Sequence, residues 1–221
     1  MKRFGRILFV LLFIIKLQTT ASGQLNANRL FYINPVGGGI FFNTGYSFFN
    51  NQIGNYLTGR VCFNGGFEVT NKKWYYDFRV FNLEGKVATG LKDKFWQNGD
   101  LINAVMVGVD FGYTFVRLPK LFITPLIGIA HGHTTHYTSH DTTGGPPFFL
   151  PNASLKIDYN LLGSKRRRRG DRMYFSYDRE YEHYMQITLT ESYYPFGMKP
   201  SVGLPGSIVM ISVGVSYYFR G

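Results

Sequence analysis

Cysteine occurs once in this chain of 221 residues, at Cys62. A single thiol excludes a disulfide framework and any CxxC redox or metal site; the residue reads as a small side chain packed in the fold. Charged residues are also scarce, at 17%, below the usual quarter. No stretch reaches 18 consecutive apolar residues, so the sequence encodes no helical membrane span. Nor does it carry a cofactor fingerprint, and no cofactor is expected.

Aromatics, by contrast, reach 18%, with 16 Tyr and 21 Phe, and glycine is plentiful at 26 residues. The mean hydropathy is only −0.08. Alternating apolar and polar residues give this combination, because averaging along the chain hides a one-sided apolar surface. The formal charge of +11 overstates the basic character. Lys2, Arg3, Arg6 and Lys16 lie in a segment with no acid, and leaving those four aside puts 20 basic residues against 13 acidic ones. Five of the 20 form one run, Lys165-Arg166-Arg167-Arg168-Arg169. The rest is nearly balanced, and no nucleic-acid partner is expected.

Residues 1–23 read as a secretory signal peptide. Lys2, Arg3 and Arg6 precede an apolar run over 7–15, and Ala21-Ser22-Gly23 supplies the small residues of a cleavage site. The apolar run is too short to span a membrane. Residues 24–221 then form the mature domain.

That domain alternates. Ile40, Phe42, Thr44, Tyr46 and Phe48 oppose Phe41, Asn43, Gly45 and Ser47. Leu57, Val61, Phe63, Phe67 and Val69 oppose Arg60, Cys62, Asn64, Gly66 and Glu68; Trp74, Tyr76, Phe78 and Val80 oppose Tyr75, Asp77, Arg79 and Phe81. Strands follow from Val105 to Phe115, over 121–130 with a bulge expected at Pro125, over 155–161, over 181–190, and over 206–219. A period of two is the mark of a strand with two different faces. There are eight, with long loops expected at 83–101, 131–152 and 192–206, and tight turns at 70–73 and 117–120.

The polar faces carry Arg60, Glu68, Asp77, Arg79, Asp110, Lys156, Asp158 and Glu182 among glycines. In a narrow barrel glycine makes room for long partners and opposite charges pair across the interior. Short turns at one end, long loops at the other and an even strand number complete the pattern of a transmembrane barrel. The fold class is therefore all-β: an eight-stranded antiparallel up-and-down transmembrane β-barrel behind a signal peptide. Its interior is packed rather than open. Trp74, Tyr76, Phe115, Tyr217 and Phe219 fall at the strand ends where an aromatic girdle belongs.

In these respects the chain resembles the small outer-membrane barrels of Gram-negative bacteria, the broad class that includes the OmpA transmembrane domain and OmpX. The segment Val213-Gly214-Val215-Ser216-Tyr217-Tyr218-Phe219 is similar to the C-terminal signal read by the barrel-assembly machinery, with Val213, Val215, Tyr217 and Phe219 as its alternating members; here Arg220 and Gly221 follow the aromatic. The resemblance implies export to the cell outer membrane, contact with outer-membrane lipid and lipopolysaccharide, and a structural or surface-interaction role.

Two segments carry candidate chemistry. His131, His133, His136 and His140 crowd into ten residues, with Asp141 directly after them, and offer a metal shell, although the spacing matches no standard zinc motif. His136-Tyr137-Thr138 resembles the His-x-Ser pair of outer-membrane lipid A deacylases, with Thr in the nucleophile position, which frames an alternative as a lipid A-modifying enzyme. The run Lys165, Arg166, Arg167, Arg168 and Arg169 is a candidate anion- or phosphate-binding segment on the periplasmic side. A soluble, lipocalin-like periplasmic binding protein is the remaining alternative, since alternation alone does not say what the apolar face meets.

Overall fold

The computed structural model describes residues 36–89, 97–118, 120–137, 142–168, 179–195 and 205–220. The signal segment, His140, Asp141 and Arg169 lie outside these residues. The strands are β1 (Val36–Asn50), β2 (Leu57–Gly59), β3 (Val61–Asn71), β4 (Trp74–Val87), β5 (Leu101–Tyr113), β6 (Val116–Arg117), β7 (Leu121–Tyr137), β8 (Thr142–Arg168), β9 (Arg179–Tyr194) and β10 (Ser207–Arg220). β2 leads into β3, and β6 prolongs β5, so the ten strands make eight staves. Every pairing is antiparallel, and β4 closes the sheet by pairing with both β3 and β5.

The register fixes the barrel geometry. From Phe48 the cross-strand partners run through Val209, Tyr193, Ala153, Ile127, Phe111, Tyr76 and Val69 back to β1 at Gly38. The circuit returns ten residues from where it began, from position 48 to position 38. Such a stagger tilts the strands against the barrel axis, and eight staves enclose only enough space for side chains.

One end holds the strand termini Val36 and Arg220, paired near Asn71 and Glu182, and the two-residue β3–β4 turn. Lys72 there adopts a left-handed φ of 58°, as a tight hairpin requires. The other end holds the connections 88–100 and 195–206 and a five-residue 3-10 helix, Asn51–Asn55. Short turns mark the periplasmic end of such barrels and long loops the external end.

Several expected boundaries move. β4 runs on to Val87 rather than ending near Phe81. The loop expected over 131–152 is mostly a hairpin: β7 continues to Tyr137 and β8 starts at Thr142. At Pro125 the pairing with β8 is regular, and the register shift falls between His133 and Thr135. Pro125 stands in the gap where the β5 ladder has ended at Gly112–Leu126 and the β6 ladder begins at Val116–Ile123, so its missing donor disturbs neither. Leu57 and Arg60 exchange roles because the chain breaks phase between β2 and β3. Leu57 is buried inside, and Arg60 sits at the rim with its Nη1 3.2 Å from Glu84 Oε1.

Candidate functional site: interior, outer face and rims

The interior has two zones. Its external half is apolar: Leu57, Cys62, Phe81, Leu83, Val87, Ile102, Ala104, Met106, Phe148, Leu150, Ile208 and Met210 form one buried cluster. Ile53 of the 3-10 helix closes the mouth; it is wholly buried, and its N–H donates to the Pro205 carbonyl at 3.1 Å. Gly206 permits this approach, since a Cβ there would lie 2.3 Å from Ile53 Cγ2. Cys62 is the small packed residue expected of it.

The periplasmic half is polar and ionic. Lys156, 3% exposed, is the hub of one cluster. Its ammonium pairs with Glu68, donates to Tyr75 Oη at 2.8 Å, lies 3.2 Å from Asp158 Oδ2 and sits 4.6 Å above the Tyr75 ring. Tyr75 in turn donates to Glu68, and Thr188 donates to Asp158 at 2.7 Å. The second cluster centres on Arg79, whose Nη2 lies 2.8 Å from Asp110 Oδ2 and whose guanidinium covers the Phe81 ring at 4.9 Å. Asn152 donates to Asp110 at 3.0 Å, reaching it over Gly128, where a Cβ would lie 1.7 Å from Asp110 Oδ1. Further along the wall, Gln186 joins Asn160 and Ser216 through bonds of 2.7 and 2.9 Å.

By register Glu68, Asp77 and Asp110 lie directly opposite one another across three neighbouring strands. Like charges so placed repel; Lys156 and Arg79 hold the two ends of the row. These side chains bridge staves that are far apart in sequence, and burial makes each link strong only while both partners are present. Chemically the described interior is a structural lattice of packed and paired side chains. Among the expected interior charges, Glu68, Asp77, Arg79, Asp110, Lys156 and Asp158 are buried. Asn152, Ser154 and Ser192 belong to the same lattice and carried no signal beyond their place in an alternating strand.

The outer surface is the reverse of the inner one. Ile40, Phe42, Phe63, Phe67, Phe78, Val80, Val105, Val107, Val109, Ile127, Ile129, Val213 and Val215 all point outward and are exposed. At the periplasmic border Trp74, Tyr76, Tyr113, Phe115, Tyr159, Tyr217 and Phe219 form an outward ring; Trp74 stacks on Phe111 at 5.0 Å and meets Tyr113 edge-on at 5.1 Å. Tyr46, Phe48, Tyr137, Phe149 and Tyr193 are their counterparts at the external border. An apolar band between two aromatic girdles, around a charged interior, is stable only with hydrocarbon outside. This chain has the architecture of a transmembrane β-barrel. A soluble lipocalin-like protein would need its apolar side chains inside and its charges in water.

The fold is similar to that of several solved outer-membrane proteins. Neisserial surface protein A aligns at 7% identity over 82% of this chain and 96% of that one, with a TM-score of 0.48. Ail of Yersinia pestis, solved with the heparin analogue sucrose octasulfate, aligns at 11% identity over 83% and 97%, with a TM-score of 0.47. OprG of Pseudomonas aeruginosa aligns at 13% identity over 85% and 98%, with a TM-score of 0.44. No protein-family model and no curated protein matches the sequence.

The barrel distributes the sequence's candidate residues as follows. His131 and His133 lie on the outward side of β7, with His131 4.6 Å from the Phe149 ring. The period of two along β7 places His136, three residues past His133, on the opposite side, where its Nε2 lies 3.0 Å from Asp100 Oδ2. Asp100 also accepts from the Gln97 N–H at 2.8 Å, so the pair ties the 88–100 connection to β7. The three histidines thus divide between two faces, and among the described residues no group of three or more metal-ligating side chains converges. The deacylase-like reading needs His136 on the membrane face; it is turned inward with Asp100 instead. Lys165 to Arg168 continue β8 into a two-stranded ribbon with β9. Val213, Val215, Tyr217 and Phe219 face outward along β10.

Proposed function

We propose that the barrel serves as a structural and surface-interaction protein of the outer membrane, with binding confined to its external rim. The observation that carries this reading is the closed interior. An apolar plug capped by Ile53 stands above a lattice of ion pairs, so the working surfaces are the rims and the lipid face. The connections 88–100 and 195–206 supply the external surface, and the His136–Asp100 contact anchors the first of them.

In planar bilayers the purified barrel is expected to give no steady ion conductance, and an epitope inserted within residues 90–96 to be detected on intact cells. A stable open conductance would overturn the reading and assign the protein to transport.

The same reading makes β10 the strand presented to the barrel-assembly machinery. Its support is the outward row Val213, Val215, Tyr217 and Phe219, closed by an aromatic at the periplasmic end. Replacing Tyr217 and Phe219 together with alanine is expected to lower the heat-modifiable, membrane-inserted fraction several-fold in cells. Refolding of the purified variant into detergent should change far less. Equal losses in both settings would mean that the two aromatics serve stability alone.

A further inference from the structure

Two neighbouring connections at the periplasmic end concentrate positive charge. Lys72 and Lys73 form the β3–β4 turn, Arg117 ends β6, and Lys120 immediately precedes β7. Neither 69–76 nor 111–124 contains an acid. Among the described residues no carboxylate lies within ion-pair distance of Lys72, Lys73 or Lys120. The connections meet in space: Arg117 donates to the Lys72 carbonyl, and the Thr114 N–H donates to the Lys73 carbonyl at 2.8 Å. The Lys73 ammonium lies 5.7 Å from the centre of the outward Tyr113 ring, on the membrane side of the wall. Lys73 and Lys72 are one and two residues past Trp74 of the aromatic girdle. At about 3.4 Å per residue and a tilt of about 40°, these are roughly 3 and 5 Å further along the membrane normal. The headgroup layer is about 5–7 Å deep, so both positions fall within it.

From these turns toward the membrane centre the outer wall is grooved. A concavity of about 700 Å³ crosses the strands between two rows of outward side chains, Phe67, Phe78 and Val109 on one side and Tyr76, Phe111 and Ile127 on the other. Between the rows stand Asp77 and Asp110, whose side chains are buried inward, so backbone floors the groove. Successive outward rows are about 7 Å apart, which leaves one file of carbon atoms in van der Waals contact with both sides. The register circuit falls from position 48 to position 38, toward the periplasmic end, so the groove descends from β7 to β3. Its low end lies at Phe67, on the strand whose turn carries Lys72 and Lys73.

We infer that this part of the wall binds one anionic phospholipid of the periplasmic leaflet, its phosphate on Lys72, Lys73, Arg117 and Lys120 and one acyl chain in the groove. The inference rests on the outer-membrane reading. Charge decides the occupant. An apolar groove alone would also suit the wall of a second barrel, but a symmetric pair would bring two sets of four cations to one level with no acid between them. Ammonium and guanidinium groups suit a phosphate, while Trp74 and Tyr113 occupy the interfacial level between head and chain.

The test uses the full mature chain in phosphatidylcholine nanodiscs doped with phosphatidylglycerol, with the retained lipids read by native mass spectrometry. Lys72→Gln with Lys73→Gln is expected to lower the preference for phosphatidylglycerol roughly twentyfold, at about fivefold for each cation near an anionic surface. Arg60→Gln with Lys86→Gln removes the same charge at the external end and should leave the preference within about twofold. Val109→Trp fills the groove and is expected to cut phosphatidylglycerol retention several-fold. Heat-modifiable mobility shows that each variant keeps the barrel. Equal losses in the two double variants, no loss in the first, or full retention in Val109→Trp would overturn the proposal. Displacement of the lipid by millimolar inorganic phosphate would overturn it by assigning the cations to free phosphate. A dimer in place of the bound lipid would overturn it by assigning the groove to a second copy. A negative result here leaves the conductance test unaffected, so the two readings fail separately.

Discussion

Substituting Lys156 with methionine is expected to destabilise the folded barrel by about 3–5 kcal/mol, the usual effect of removing one partner from a buried ion pair. Methionine keeps the length of the side chain and its apolar stem, so the loss isolates the ammonium. Without it Glu68 and Asp158, both buried on the inner wall, lose the cation that pairs with each of them. Glu68 would also face Asp77 directly across β3 and β4 with no cation at its end of the row. Urea titration of the bilayer-inserted protein, followed by heat-modifiable mobility, measures the effect. Adding Glu68→Gln to Lys156→Met removes the stranded charge while preserving the hydrogen-bond acceptor for Tyr75, and is expected to recover about half the loss. A change below about 1 kcal/mol in the single variant would mean that water enters and screens the lattice, and the sealed interior would have to be abandoned.

The eight staves were legible in the sequence because the membrane enforces one rule over their middle sections: apolar outward, polar inward. β4 shows where the rule stops. From Trp74 to Val80 the outward residues are Trp74, Tyr76, Phe78 and Val80, with Tyr75, Asp77 and Arg79 inside. Beyond Phe81 the period of two persists with its phase inverted, as Leu83 and Val87 go inside and Asn82, Glu84 and Lys86 stand on the outer side. The strand has left the hydrocarbon there, so its outer face meets water and its inner face packs the apolar plug. A sequence reading keyed to an apolar outer face ends the strand at that inversion. The same thing happens on β7 and β8, where the stretch from His131 to Pro151 has polar or mixed outer positions and was expected to be loop. Ile102, Ala104 and Met106 on β5, with Ile208 and Met210 on β10, show the inversion from the inside.

The site residues were legible only in part for a related reason. Interior charges betray themselves by standing on the polar face of an apolar strand, as Glu68, Arg79 and Lys156 do. Which of them pair depends on stagger around the barrel, since Lys156 on β8 meets Glu68 on β3 across the lumen. Spacing along the chain carries no trace of that. The four-histidine cluster fails in the opposite direction: closeness in sequence suggested convergence, while the period of two puts His136, an odd number of residues from both His131 and His133, on the other face of β7.

Val107→Arg should cost about 2–4 kcal/mol, the depth-dependent expense of a cation near the bilayer midplane, although Val107 is 43% exposed in the isolated chain. Exposure of that extent in a water-soluble protein would make the change nearly neutral, within about 0.5 kcal/mol. Val107 lies on β5 well inside the apolar band, with Val105 and Val109 as its outward neighbours and Val80 opposite it on β4. Trp74→Arg, placed on the periplasmic girdle, supplies the depth control: its guanidinium reaches the headgroups, so the charge itself should cost no more than about 1 kcal/mol. The remaining loss there comes from the ring contacts with Phe111 and Tyr113, and Trp74→Ala measures it separately. Urea midpoints in bilayers of one lipid thickness give all three numbers. If Val107→Arg proves as mild as Trp74→Arg after that correction, the outward valines and phenylalanines do not face hydrocarbon, and the membrane placement fails with them. If the difference holds, the cost is set by the lipid that surrounds the outer face of β5.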